Sequence, residues 1–97
     1  MTQEEAKEFI DNASYEDCAV QYNNAYFWCY GLVWWKEKGV FSMAVDKCRS
    51  LYPKWDFVES VLDVESPSRE ECMKHLLEDP IFDGKTFWQA APEMKRW

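Results

Sequence analysis

The chain has 97 residues, 47% of them hydrophobic and 18% aromatic, and its 18 acidic against 11 basic side chains give a formal charge of −7. A chain of this length is one domain, residues 1–97, burying about 60–65% of its unfolded surface. So few lysines and arginines argue against non-specific nucleic-acid binding, which works by displacing counterions from phosphates, and no apolar run approaches the roughly 20 residues of a membrane span.

Residues 2–13 carry the pattern of a helix. Thr2 precedes Glu5 at the spacing of a capping box, and Ala6, Phe9, Ile10 and Ala13 fall on one apolar stripe. Residues 14–17 read as a connector, Cys18 to Tyr22 as a short strand or an extended lead-in, and Asn23-Asn24 as a bend. Residues 25–35, AYFWCYGLVWW, are dense in aromatic and β-branched side chains, as strands are. Lys36-Glu37-Lys38-Gly39 is a turn, residues 40–48 are the return strand, and Tyr52-Pro53 is a break. Residues 55–65 also fit a helical stripe through Trp55, Val58 and Leu62, but their valines and the helix start that follows favour a third strand. Ser66 as N-cap, Pro67 at the first helical position, and Glu70 and Glu71 in the first turn predict a helix over 67–78. Cys72, Met73, Leu76 and Leu77 form its buried side, and Pro80 stops it. Asp83-Gly84 is a turn, and residues 85–91 make a short last helix. This order predicts an α+β domain, a three-stranded antiparallel meander packed against an N-terminal helix and one or two C-terminal helices.

The turn before Val40 decides which aromatics face together. A three-residue loop, Glu37-Lys38-Gly39, needs positive φ only at its glycine, as in a type I turn with a G1 bulge. In that register Trp35 pairs with Phe41 and Val33 with Met43 on one face, while Trp34 meets Ser42, Leu32 meets Ala44, Tyr30 meets Asp46 and Trp28 meets Cys48 on the other. The first face is hydrocarbon and suits helices. The second carries Tyr26, Trp28, Tyr30 and Trp34 beside Asp46. Tyrosine and tryptophan combine an apolar body with a polar handle and are enriched at binding hot spots. These five residues are the candidate partner-binding set. They predict a protein partner, basic in keeping with the charge, or a second copy of the chain. The competing expectation is that the C-terminal segment covers this face with Phe87, Trp88 and Trp97.

Catalytic and metal-binding patterns are missing from the sequence. Cys72 and His75, the sole histidine, form a C-x-x-H pair, but no second pair completes a four-ligand site. Gly84-Lys85-Thr86 matches the tail of a phosphate-binding loop, yet Asp79 stands where that loop needs glycine. No enzyme activity, cofactor or metal is expected. Cys18, Cys29, Cys48 and Cys72 accompany no secretory signal, which predicts reduced thiols in a cytoplasmic protein. The expected function is protein–protein binding by a small acidic domain, the profile of inhibitors, immunity proteins and phage-encoded anti-defence factors. A structural or regulatory homodimer built on the aromatic face is the alternative, and a small-ligand pocket or enzyme is the third reading.

Overall fold

A computed structural model describes residues 1–97 and shows an α+β architecture with one antiparallel sheet of six strands, twice the number expected. Helix α1 (Gln3–Ala13) leads into β1 (Cys18–Tyr22), β2 (Ala25–Cys29), β3 (Val33–Trp35), β4 (Val40–Ser50) and β5 (Asp56–Ser66). Helices α2 (Arg69–Glu78) and α3 (Phe87–Ala90), a 3-10 turn at Ala91–Glu93, and the short β6 (Lys95–Arg96) complete the chain. Strand β4 is the backbone of the sheet. Ser42 is paired with both Val33 and Glu65, and Val45 with both Cys29 and Leu62. Strands β3 and β2 therefore lie end to end along one edge of β4, with β5 along the other. The expected meander forms this centre. The extra strands are β1, which pairs with β2 through the Asn23-Asn24 turn, and β6, which pairs with β1.

Helix α1 starts as its sequence dictates. The Thr2 hydroxyl accepts from the Glu5 N–H at 3.1 Å, and the Glu5 carboxylate accepts from the Thr2 N–H at 2.9 Å. Its stripe of Ala6, Phe9 and Ala13 is buried. Helix α2 starts two residues later than expected. Ser66 is the last residue of β5, paired with Phe41, and its hydroxyl accepts the Ser68 N–H. The N-cap role passes to Ser68, which takes the Glu71 N–H at 3.2 Å. Helix α3 is shorter than the predicted 85–91 because Thr86 and Gln89 form a second capping box that fixes its start.

All three helices share one side of the sheet. Phe9 of α1 stacks on Phe87 of α3 at 5.3 Å, Phe87 meets Phe82 at 6.1 Å, and Phe82 meets Phe27 of β2 at 5.0 Å. This phenylalanine ladder ties the helical layer to the sheet, with Cys29, Met43, Val45, Cys72 and Leu76 packed around it. No polar or charged side chain is buried, so the core needs no internal polar network.

Two features of the hairpin depart from the sequence reading. The loop before Val40 holds four residues, not three, because Trp35 pairs with Val40 rather than with Phe41. The Trp35 carbonyl accepts from the N–H groups of both Lys38 and Gly39, at 3.1 and 2.8 Å, closing one helical turn that ends in left-handed Gly39, φ +66°. The positive φ expected at Gly39 is present, in a longer loop. The second departure is a bulge. Between the pairs Cys29↔Val45 and Val33↔Ser42, three residues (Tyr30, Gly31, Leu32) face only two on β4. Gly31 sits at φ +77° in the middle. A Cβ there would lie 2.6 Å from the Glu16 carbonyl oxygen, so only glycine fits where the chain leaving α1 crosses the strand. The Leu32 N–H donates to the Ala13 carbonyl at 3.0 Å and fastens that crossing.

Candidate functional site

An inserted residue moves every later side chain to the opposite face. Tyr26, Trp28 and Tyr30 precede the bulge and stay together on the face away from the helices. Trp34 follows it and turns to the helical side, where its ring packs on Phe41 at 4.8 Å. Trp35 takes the place expected for Trp34, with its indole N–H donating to the Ser42 hydroxyl at 2.8 Å. The expected contact of Trp34 with Ser42 is thus replaced by that of Trp35. On β4, Asp46 pairs across the backbone with Trp28 instead of Tyr30. Tyr30 nevertheless reaches it, and its phenol donates to the Asp46 carboxylate at 2.6 Å.

The resulting face has three zones. An aromatic ridge follows the β2–β3 line through Tyr26, Trp28, Tyr30, Val33 and Trp35. Beside it β4 presents the smaller side chains of Ser42, Ala44 and Asp46, only partly covered. Beyond them β5 sets Glu65 opposite Ser42, Asp63 opposite Ala44 and Ser60 opposite Asp46. On this face small side chains run between an aromatic row and an acidic row. Lys38 neutralises Glu65 at 3.1 Å, whereas Asp63 is exposed and makes no ion pair.

One end of the ridge is covered by the chain itself. Trp55, from the loop after β4, meets Trp28 edge-on at 5.2 Å. Trp97 follows β6 onto the same face, held by its N–H on the Ala19 carbonyl, and lies against Tyr26 and Trp28 at 6.4 and 6.5 Å. Ala19, Cys48 and Leu51 form a small second core beneath them. Of the three C-terminal aromatics expected to cover this face, only Trp97 does so. Phe87 is buried in the main core, and Trp88 packs on Phe87 in the helical layer. The rest of the ridge is open, with Tyr30 40% and Trp35 45% exposed.

The Tyr30–Asp46 pair has an electrostatic signature. The hydrogen bond to the carboxylate, helped by burial, pushes the Tyr30 phenol up to about 12. The phenol stays neutral as a donor and orients the Asp46 carboxylate at the foot of the ridge. Elsewhere, Lys47 bonds Asp83 at 2.7 Å and, with Asn23, holds that carboxyl below its usual range. Arg49 does the same for Asp56 on the outer surface.

No family model, curated protein or solved structure matches the chain.

Other candidates from the sequence resolve into structural roles. The Cys72 thiol is buried and faces the Phe41 carbonyl, while His75 is partly exposed and bonds Asp79 at 2.8 Å. Gly84-Lys85-Thr86 forms a turn closed by the Phe82–Lys85 bridge and the cap of α3. A surface depression of about 390 Å³ between β5 and the Asp79–Gly84 loop is lined by Glu59, Ser60, Asp79 and Asp83, without a nucleophile paired to a base. No helix is long and apolar enough to cross a membrane.

Proposed function

We propose that the protein works by binding a basic partner protein on the open face of its sheet. The observation that carries this reading is the juxtaposition of exposed Tyr30 and Trp35 with Asp46 and unpaired Asp63, on a face that no helix covers. Arginine and lysine side chains suit such a surface. Their aliphatic stems pack on aromatic faces, their charged heads gain cation–π attraction, and carboxylates opposite complete the contact. The overall charge of −7 adds long-range attraction for such a surface. Tyr30, Trp35 and Asp46 are the central contacts, and Tyr26 and Trp28 support them from under Trp97 and Trp55.

Calorimetric titration with an arginine- and lysine-rich peptide and with an acidic peptide of equal length tests this reading. Binding of the basic peptide only, weakened by added salt, is expected. Trp35→Ala and Asp46→Asn should each weaken it by about 2 kcal/mol, as at a hot spot. Trp88→Ala, in the helical layer, should leave it unchanged. Binding that ignores peptide charge, or survives Trp35→Ala, overturns the proposal. A concentration-dependent dimer in sedimentation, lost in Trp35→Ala, would replace the partner by a second copy of the chain.

A further inference from the structure

On the helical side of the sheet, Cys18 of β1 and Cys29 of β2 are directly opposite each other in the antiparallel ladder. Directly opposed residues in such a ladder have Cα atoms about 4.5 or 5.5 Å apart. Both values lie within the roughly 4.4–6.8 Å that a disulfide spans. The two cysteines differ in access: Cys18 is partly exposed, whereas Cys29 is in the main core. Cys48 is buried in the second core, and Cys72 is buried on α2. Neither of them faces another cysteine across the sheet.

We propose that Cys18 and Cys29 form a dithiol modification site that takes low-molecular-weight disulfides and closes into a cross-strand bridge. Cys18 is the entry point because it is the one cysteine of the four that is not buried. The Cys18 thiolate attacks one sulfur of the small disulfide, a Cys18–S bond forms, and the other half leaves as a thiol carrying the proton that Cys18 gave up. Cys29 then attacks the Cys18 sulfur, the Cys18–Cys29 bond forms, and the second half leaves with the Cys29 proton. Two protein thiols are oxidised and one small disulfide is reduced to two thiols. The neighbouring Cys29 thiol, together with burial, raises Cys18, so entry at Cys18 is the slow step and quickens as pH rises.

The native full chain is incubated with oxidised glutathione, then unfolded in alkylating agent and analysed by intact mass and peptide mapping. Of the four free thiols, two should disappear, with Cys18 and Cys29 recovered as one linked pair carrying no glutathione. Cys29→Ser should instead accumulate a glutathione adduct on Cys18. Cys18→Ser is the second variant, made at the more exposed position, and should keep Cys29 reduced. The proposal is overturned if the wild type stops at the Cys18 adduct, or if Cys48 and Cys72 react as fast as Cys18. A bridge that forms equally fast in denaturant, where the strands no longer align the two thiols, also overturns it.

Discussion

Replacing Gly31 by alanine tests the crossing between α1 and the sheet. Gly31 and Gly39 both have left-handed backbones, at φ +77° and +66°, but their surroundings differ. Nothing lies within 4 Å of a Cβ built on Gly39, while the same atom on Gly31 would sit 2.6 Å from the Glu16 carbonyl oxygen and 2.8 Å from its carbon. Left-handed backbone costs an L-residue about 1–2 kcal/mol at either site. Only Gly31→Ala adds the displacement of a backbone segment, about 1–3 kcal/mol by analogy with overpacked cores. The expected losses are therefore about 1–2 kcal/mol for Gly39→Ala and about 2–5 kcal/mol for Gly31→Ala. In urea, where a small domain has a slope of about 1–3 kcal/mol per molar, the two midpoints should separate by about 1 M. Far-ultraviolet circular dichroism against urea measures both. Equal losses would mean that the Glu16 carbonyl does not press on the bulge, and the account of why only glycine fits at position 31 would fall with it.

Ultraviolet titration of the phenols should show one tyrosine ionising near 12, and Asp46→Ala should return it toward the ordinary value of about 10. Because Tyr30 is raised on folding, its contribution to stability is intact below about pH 10 and fades as pH climbs towards 12; an Asp46→Ala curve identical to wild type would refute the pairing. Asp83 has the opposite sign: Lys47 depresses it, so its contribution holds above the ordinary carboxyl range and is lost as pH falls through the folded value. Lys47→Met should cost about 1 kcal/mol at neutral pH and flatten the acid limb of the stability profile, which denaturant curves at several pH values will show. Thr86→Ala removes the capping box of α3 and should cost about 1 kcal/mol in the same assay, a loss that Thr86→Ser restores. Trp35→Ala should change stability by less than about 1 kcal/mol, as at an exposed position, whereas Phe87→Ala should cost about 3–5 kcal/mol.

Local signals in the sequence located most of the elements. The Thr2–Glu5 spacing marked α1, and the valines of residues 55–65 correctly favoured strand over helix. The need for left-handed backbone at Gly39 was also legible, since glycine is the residue that supplies it. Pairing was harder, because register depends on how many residues each strand contributes between contacts. One extra residue at Tyr30–Leu32 and one in the loop reassigned Trp34 and Trp35. A lone glycine inside an aromatic strand was the available sign of a bulge, and Gly31 carried it. The Glu16 carbonyl that makes glycine obligatory there comes from a distant part of the chain. Strand β6 had no local sign at all, as Lys95 and Arg96 become a strand only by pairing with β1. Ser66 and Ser68 were equally good caps by type, and the choice fell to the length of β5.

The phenylalanine ladder has a consequence for how this molecule can be observed. Its largest fully buried aromatics are Phe9, Phe27, Phe82 and Phe87, and none of the six tryptophans is among the buried residues. Intrinsic fluorescence therefore originates at the periphery, from indoles already in contact with water. Unfolding should shift the emission only modestly, making it a poor gauge of the native population. A molecule settling on Trp35 would remove water from an indole and shift the emission to shorter wavelength. The chain carries its own optical reporter for occupancy, while its folding must be followed through the backbone.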